Sequence, residues 1–125
     1  GIENLLDTLK KQGHKLYVAT SKPKEYAVRI LDKFGLLKYF EYVSGSSMDE
    51  KDSDKATIIK NALNVSLADK KDVLMIGDRC FDIKGAKTNG VDSLAVLYGY
   101  GSREEITDSA PEYIAETVND IFNYV

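Results

Sequence analysis

Apolar positions along the chain switch repeatedly between helical spacing and short continuous runs. Ile2, Leu5, Leu6 and Leu9 recur with helical period and predict an amphipathic helix over residues 2–12, ended by Gly13. "KLYVAT", residues 15–20, then reads as a short apolar strand. In "SKPKEYAVRILDKFGL" the period returns: Pro23 suits a first helical turn, Ala27, Ile30, Leu31 and Phe34 share one face, and Gly35 closes the helix. "YFEYVSG", residues 39–45, is the next strand, and the polar residues 46–53 form a surface loop.

Ser53 is a good N-cap for a helix over residues 54–63. "DVLMIGD", residues 72–78, is the most apolar strand, followed by a helix over 79–89 that Gly90 stops. "VDSLAVLYG" is a further strand. Ser102 and Glu105 make a capping-box pattern for a short helix through residue 106. "EYIA" is a brief strand, and Val118, Ile121 and Phe122 mark one side of a last helix over 116–124.

Apolar strands alternating with helices, with short connections and no repeat, predict an α/β fold. Its sheet is mostly parallel with helices on both faces, a three-layer α/β/α arrangement. In such sheets ligands sit beyond the carboxyl ends of the strands. Thr20 and Asp78 both fall at such ends and are expected to face one crevice. At 125 residues the chain reads as a single domain, 1–125. A net charge of −3 without a basic tract argues against nucleic acid as a partner. No apolar run approaches the roughly 20 residues of a membrane span, and no signal peptide opens the chain. The lone cysteine, Cys80, cannot form an internal disulfide, which fits a cytoplasmic protein. The chain opens on Gly1 with helical spacing already under way, and so reads as a cut end.

Three stretches carry candidate chemistry. In "MIGDRCFDIKGAKTNG" Asp78 and Asp82 stand four apart, a spacing that turns both carboxylates the same way at a helix start. They suit a hard cation such as Mg²⁺, which takes one or two carboxylates with water and phosphate oxygens. They equally suit the positive end of a helix dipole. Gly77 would permit a tight exit from the strand. In "VATSKP", Thr20 and Ser21 offer hydroxyls and backbone N–H groups to an anion, or Ser21 simply caps the helix. Lys55, in a first helical turn, opposes the macrodipole unless something anionic holds it.

The other candidates read as structural. Asp52 to Asp54 is loop and cap, His14 a surface turn, Cys80 an inert buried thiol, and the tyrosines core and rim. The absence of a glycine-rich loop followed by Lys-Ser/Thr argues against a P-loop nucleotide hydrolase.

Taken in order, "LYVATSKP", "SGSSMDEKDSDKATIIKNAL" and "VLMIGDRCFDIKGAKTNGVDSLAVLYGYGSREEI" resemble the haloacid dehalogenase superfamily. Within it they look most like the phosphoglycolate-phosphatase-like hydrolases. The resemblance covers nearly the whole chain. It implies a Rossmann-like sheet, Mg²⁺, and phosphoryl transfer from a small phosphorylated metabolite through an aspartyl-phosphate. It makes Thr20, with Ser21, the phosphate-binding residue of the second motif and Lys55 the lysine of the third. Asp78 and Asp82 become the metal-site acids of the fourth, Asp78 the more direct ligand.

Family members also carry a first motif, an apolar strand ending Asp-x-Asp-Gly-Thr, and a helical cap inserted after it. Residues 1–125 contain neither. The resemblance places that strand at the centre of the sheet, between those ending at Thr20 and Asp78. The expectation is therefore the C-terminal part of a larger hydrolase, inactive alone. It would need the N-terminal segment or another copy to complete its sheet. Pyrophosphate or a nucleoside monophosphate are alternative substrates within the family. The rival from another class is a non-catalytic α/β module. A signalling receiver would want a phosphorylatable aspartate near Val43 and Ser44, where there is none.

Overall fold

The structure, a computed structural model, describes residues 1–47 and 54–125. Its elements are α1 (Ile2–Lys11), β1 (Tyr17–Pro23), α2 (Lys24–Lys33), β2 (Tyr42–Ser46) and α3 (Lys55–Ser66). They continue as β3 (Leu74–Gly77), α4 (Cys80–Thr88), β4 (Asp92–Val96), α5 (Arg103–Ser109) and β5 (Tyr113–Ala115). All strand pairings among the described residues are parallel, and the fold is the expected Rossmann-like α/β class. Two compact units carry these elements, Gly1–Leu67 and Ala68–Val125.

In the first unit β1 pairs with β2, and both α2 and α3 pack on the pair. Leu5, Leu6 and Leu9 of α1 are buried, as are Val43, Ile58 and Ile59. The buried Tyr39 donates its hydroxyl to Glu3 Oε1 at 3.0 Å, tying α1 to the turn Leu37–Tyr39. Ser44 Oγ donates to Ile58 O at 2.7 Å and so links β2 to α3. The second unit orders its strands β3-β4-β5. Its core is built on Ile83, Ala95 and Ile106, with Leu97 and Ile114 packed against them. Among the described residues no helix is long and apolar enough to cross a membrane.

Glycine stops behave as the sequence predicts. Gly13, Gly35 and Gly90 have φ of +93°, +70° and +73°. In each case the glycine N–H and the one after it bond back into the last helical turn, as His14 N does to Leu9 O.

Other boundaries move. β1 starts two residues later than expected and continues to Pro23, which pairs with Ser46 after a break in register. Pro23 therefore precedes α2 with extended ψ of 135°, outside the first turn. On α2 only Ala27 is buried, while Ile30 and Phe34 are 45% and 66% exposed. Tyr39 belongs to a turn, and β2 begins at Tyr42. The cap of α3 is Asp54, whose carboxylate accepts from Thr57 N at 3.2 Å; Ser53, Asp52 and most of the expected loop lie outside the described residues. α5 runs on to Ser109.

The last helix is not formed. Residues Asn119–Asn123 make a 3₁₀ turn in which only Ile121 is buried. Thr117 and Asp120 exchange side-chain bonds with each other's N–H groups, an alternative to α-helical bonding at that point.

Candidate active-site residues

In the first unit Lys55 reaches the β1 residue that precedes Thr20. Thr20 lies inside β1 and not at its end as expected, because the strand runs on to Pro23; it is partly buried, and its Oγ1 accepts from Lys22 N at 3.2 Å. Lys55 is the first residue of α3 and donates from Nζ to Ala19 O at 3.0 Å, one residue before Thr20. The ammonium that opposes the α3 dipole is thus drawn to a β1 carbonyl. Asp54 fixes that first turn by also accepting from Thr57 Oγ1 at 3.2 Å. Ser21 is exposed and, with Lys22, Pro23, Tyr26 and Ile30, lines an open depression of about 550 Å³.

Asp78 and Asp82 belong to the second unit, at the β3–α4 junction. Asp82 is buried, and its Oδ2 accepts from Asp78 N at 3.0 Å and Arg79 N at 3.2 Å. It does what a carboxylate at a helix N-terminus does, satisfying donors that the helix leaves open. Asp78 is held from the segment after β4. Its Oδ2 accepts from Tyr100 N at 3.0 Å and its carbonyl from Gly101 N at 3.0 Å. A Cβ on Gly99 or Gly101 would come within 2.3 Å of Asp78 Cβ or 2.2 Å of its carbonyl oxygen. Only glycine lets this segment wrap so closely.

Glu105, in the first turn of α5, completes the junction. Its Oε2 accepts from Arg79 Nε at 2.9 Å and Cys80 N at 3.0 Å, and its Oε1 from Arg79 Nη2 at 3.2 Å. The hydrogen bond from Arg79, then that from Cys80 N, holds its carboxyl below the ordinary value, while the same pairing raises the Arg79 pKa. The expected capping box is half made. Ser102 Oγ accepts from Glu105 N at 3.0 Å, but the Glu105 carboxylate turns to α4 instead. Burial, then the charge of Asp78, raises the Tyr98 phenol. Cys80 is partly buried, its N–H committed to Glu105.

Among the described residues no group of three or more His, Cys, Asp or Glu side chains could hold a metal. Asp78 and Asp82 are a pair of hard oxygen donors, and so match in kind the carboxylate share of a Mg²⁺ shell. Position and the family resemblance marked Thr20 and Lys55, and spacing marked Asp78 and Asp82. It gave no sign of Glu105 as a partner of Arg79, because 26 residues separate them.

The sequence pattern of the haloacid dehalogenase-like hydrolases matches residues 1–96. The chain belongs to that family. A 5′-nucleotidase of Pseudomonas aeruginosa is 39% identical over 113 residues, 90% of this chain and 51% of the relative. A phosphoglycolate phosphatase of Nitrosococcus oceani is 32% identical, over 98% of this chain and 55% of the relative. The crystal structure of a protein described as a predicted phosphatase from Clostridium acetobutylicum superposes with a TM-score of 0.95. It shares 41% identity, over 98% of this chain and 57% of that one. The chain spans about half the length of the curated relatives it matches.

Proposed function

We propose that this chain belongs to a Mg²⁺-dependent phosphatase acting on a small phosphorylated metabolite, in the manner of phosphoglycolate phosphatases. The observation that carries the reading is the seating of Lys55 Nζ on the carbonyl of Ala19, the residue before Thr20. It sets a cation on the carbonyl that precedes Thr20 in a parallel strand, in a chain of this family. The nucleophile is an aspartate outside residues 1–125.

One carboxylate oxygen attacks phosphorus, the P–O bond to the alcohol breaks, and the departing oxygen takes a proton. Water then cleaves the acyl phosphate to release inorganic phosphate and restore the carboxylate. The first step brings an anion against a dianion. At about 4 Å and an effective dielectric of about 20, each unit pair costs roughly 4 kcal/mol. Lys55 offsets that repulsion, and Thr20 and Ser21 donate to phosphate oxygens. Asp78 and Asp82 would hold Mg²⁺, which supplies further positive charge when bound.

A nucleoside 5′-monophosphate is the second reading, favoured by the 39% identity to a nucleotidase. Phosphate release by the full-length protein decides between them, measured on phosphoglycolate, nucleoside 5′-monophosphates and pyrophosphate, with Mg²⁺ and with EDTA. Lys55→Ala is expected to lower kcat by about 100- to 1,000-fold. Unchanged kcat in that variant, or turnover indifferent to EDTA, would overturn the assignment.

A further inference from the structure

The β3–α4 junction places a cationic side chain beside the proposed metal ligand. Arg79 follows Asp78 directly, and without another partner its guanidinium would be a ready counter-charge for the Asp78 carboxylate. A guanidinium is always protonated and pairs readily with a carboxylate. An Arg79–Asp78 pair would compete with any divalent cation.

The structure shows Arg79 engaged elsewhere. Glu105 takes it through two parallel hydrogen bonds and at the same time takes the Cys80 N–H. The Arg79 guanidinium also lies 5.2 Å from the centre of the Phe81 ring. Glu105 is the less exposed partner of the pair, at 27% against 42% for Arg79. It forgoes the return bond of its own capping box to reach across 26 residues. Local helix stability would favour the reverse.

We propose that Glu105 is a positioning residue for the metal site: by holding Arg79 against α5 it keeps the Asp78 carboxylate for the cation. The inference rests on the reading of Asp78 as a metal ligand. It differs from a plain structural ion pair in one respect. Removing Glu105 does harm because Arg79 is set free, so removing Arg79 as well repairs the harm.

The test is calorimetric titration of the full-length protein with Mg²⁺, with thermal melts run in parallel. Glu105→Gln is expected to weaken Mg²⁺ binding about 10- to 100-fold, the usual cost of losing a residue that supports a ligand. Arg79→Gln alone is expected to bind like wild type. The double variant Arg79→Gln/Glu105→Gln is expected to recover most of the lost affinity, although its melting temperature stays low. Affinity unchanged in Glu105→Gln, or a double variant as weak as that single one, would overturn the proposal. Should Glu105→Gln not fold, the double variant and Arg79→Gln still decide. Arg79→Gln binding as weakly as Asp78→Asn would mean that Arg79 itself supports the ion, which refutes the proposal. Asp78→Asn tells the two readings apart. If it leaves Mg²⁺ binding intact, the metal assignment fails; if it abolishes binding while Glu105→Gln does not, only the role of Glu105 fails.

Discussion

Gly77 carries no side chain because Asp82 fills the place where one would stand. A Cβ there would lie 2.3 Å from both Cβ and Oδ2 of Asp82. The sequence suggests a tight exit from the strand, but Gly77 is not among the glycines with positive φ. Close approach is what demands glycine here. Gly77→Ala is therefore expected to push Asp82 Oδ2 off the N–H groups of Asp78 and Arg79. Overpacking of this kind costs about 1–3 kcal/mol, which a thermal melt reads directly. Asp82→Asn keeps an acceptor oxygen and should be milder in the same melt. A Gly77→Ala variant as stable as wild type would show that the junction gives way freely. Spacing made the two acids legible as a pair. It could not assign their oxygens, because Tyr100, Gly101 and Glu105 reach the junction from far along the chain.

Elements were legible wherever one local rule governed them. Apolar period and a glycine stop together define α1 and α2, a glycine stop marks the end of α4, and continuous apolar runs mark β3 and β4. The failures come where tertiary packing or side-chain bonding takes over. Ile30 and Phe34 have helical spacing yet remain exposed, and Thr117 with Asp120 turns an expected helix into a 3₁₀ turn. Helix α3 joins this scale to the site. Its cap Asp54 is adjacent to Lys55, so the first turn carries both the capping bond and the proposed phosphate-binding cation. Asp54→Ala is expected to cost about 0.5–2 kcal/mol and to fray the turn that aims Lys55 at Ala19. Asp54→Asn should retain most of both. The measurement is a melt paired with phosphate release by the full-length protein. A stability loss in Asp54→Ala with kcat untouched would separate the cap from the chemistry.

The whole chain shows a mismatch between its strand pattern and its exposure. β4 is covered as a parallel strand should be, with Ser93, Leu94 and Ala95 all at 0% exposure. β3 is as apolar in sequence, yet Ile76 is 37% exposed and Leu74 and Met75 are only partly buried. Among the described residues β3 has one ladder partner, β4, and β1 has one, β2. Each therefore presents a row of backbone N–H and C=O groups to which no described strand is bonded. Burying such groups unpaired costs about 1–3 kcal/mol each, against a domain stability of about 5–15 kcal/mol, so they must meet water or another strand. Water is a poor environment for an apolar strand, and open edges of this kind promote association. We therefore expect the 125-residue chain on its own to self-associate, either with a second copy or as larger aggregates. Sedimentation velocity should give a mass above the 13.9 kDa of one chain. Supplying a strand of the family's Asp-x-Asp-Gly-Thr type, fused or in trans, should lower that mass towards one chain and sharpen the melt. A 13.9 kDa species that melts cooperatively without any added strand would show that β1 and β3 tolerate their open sides.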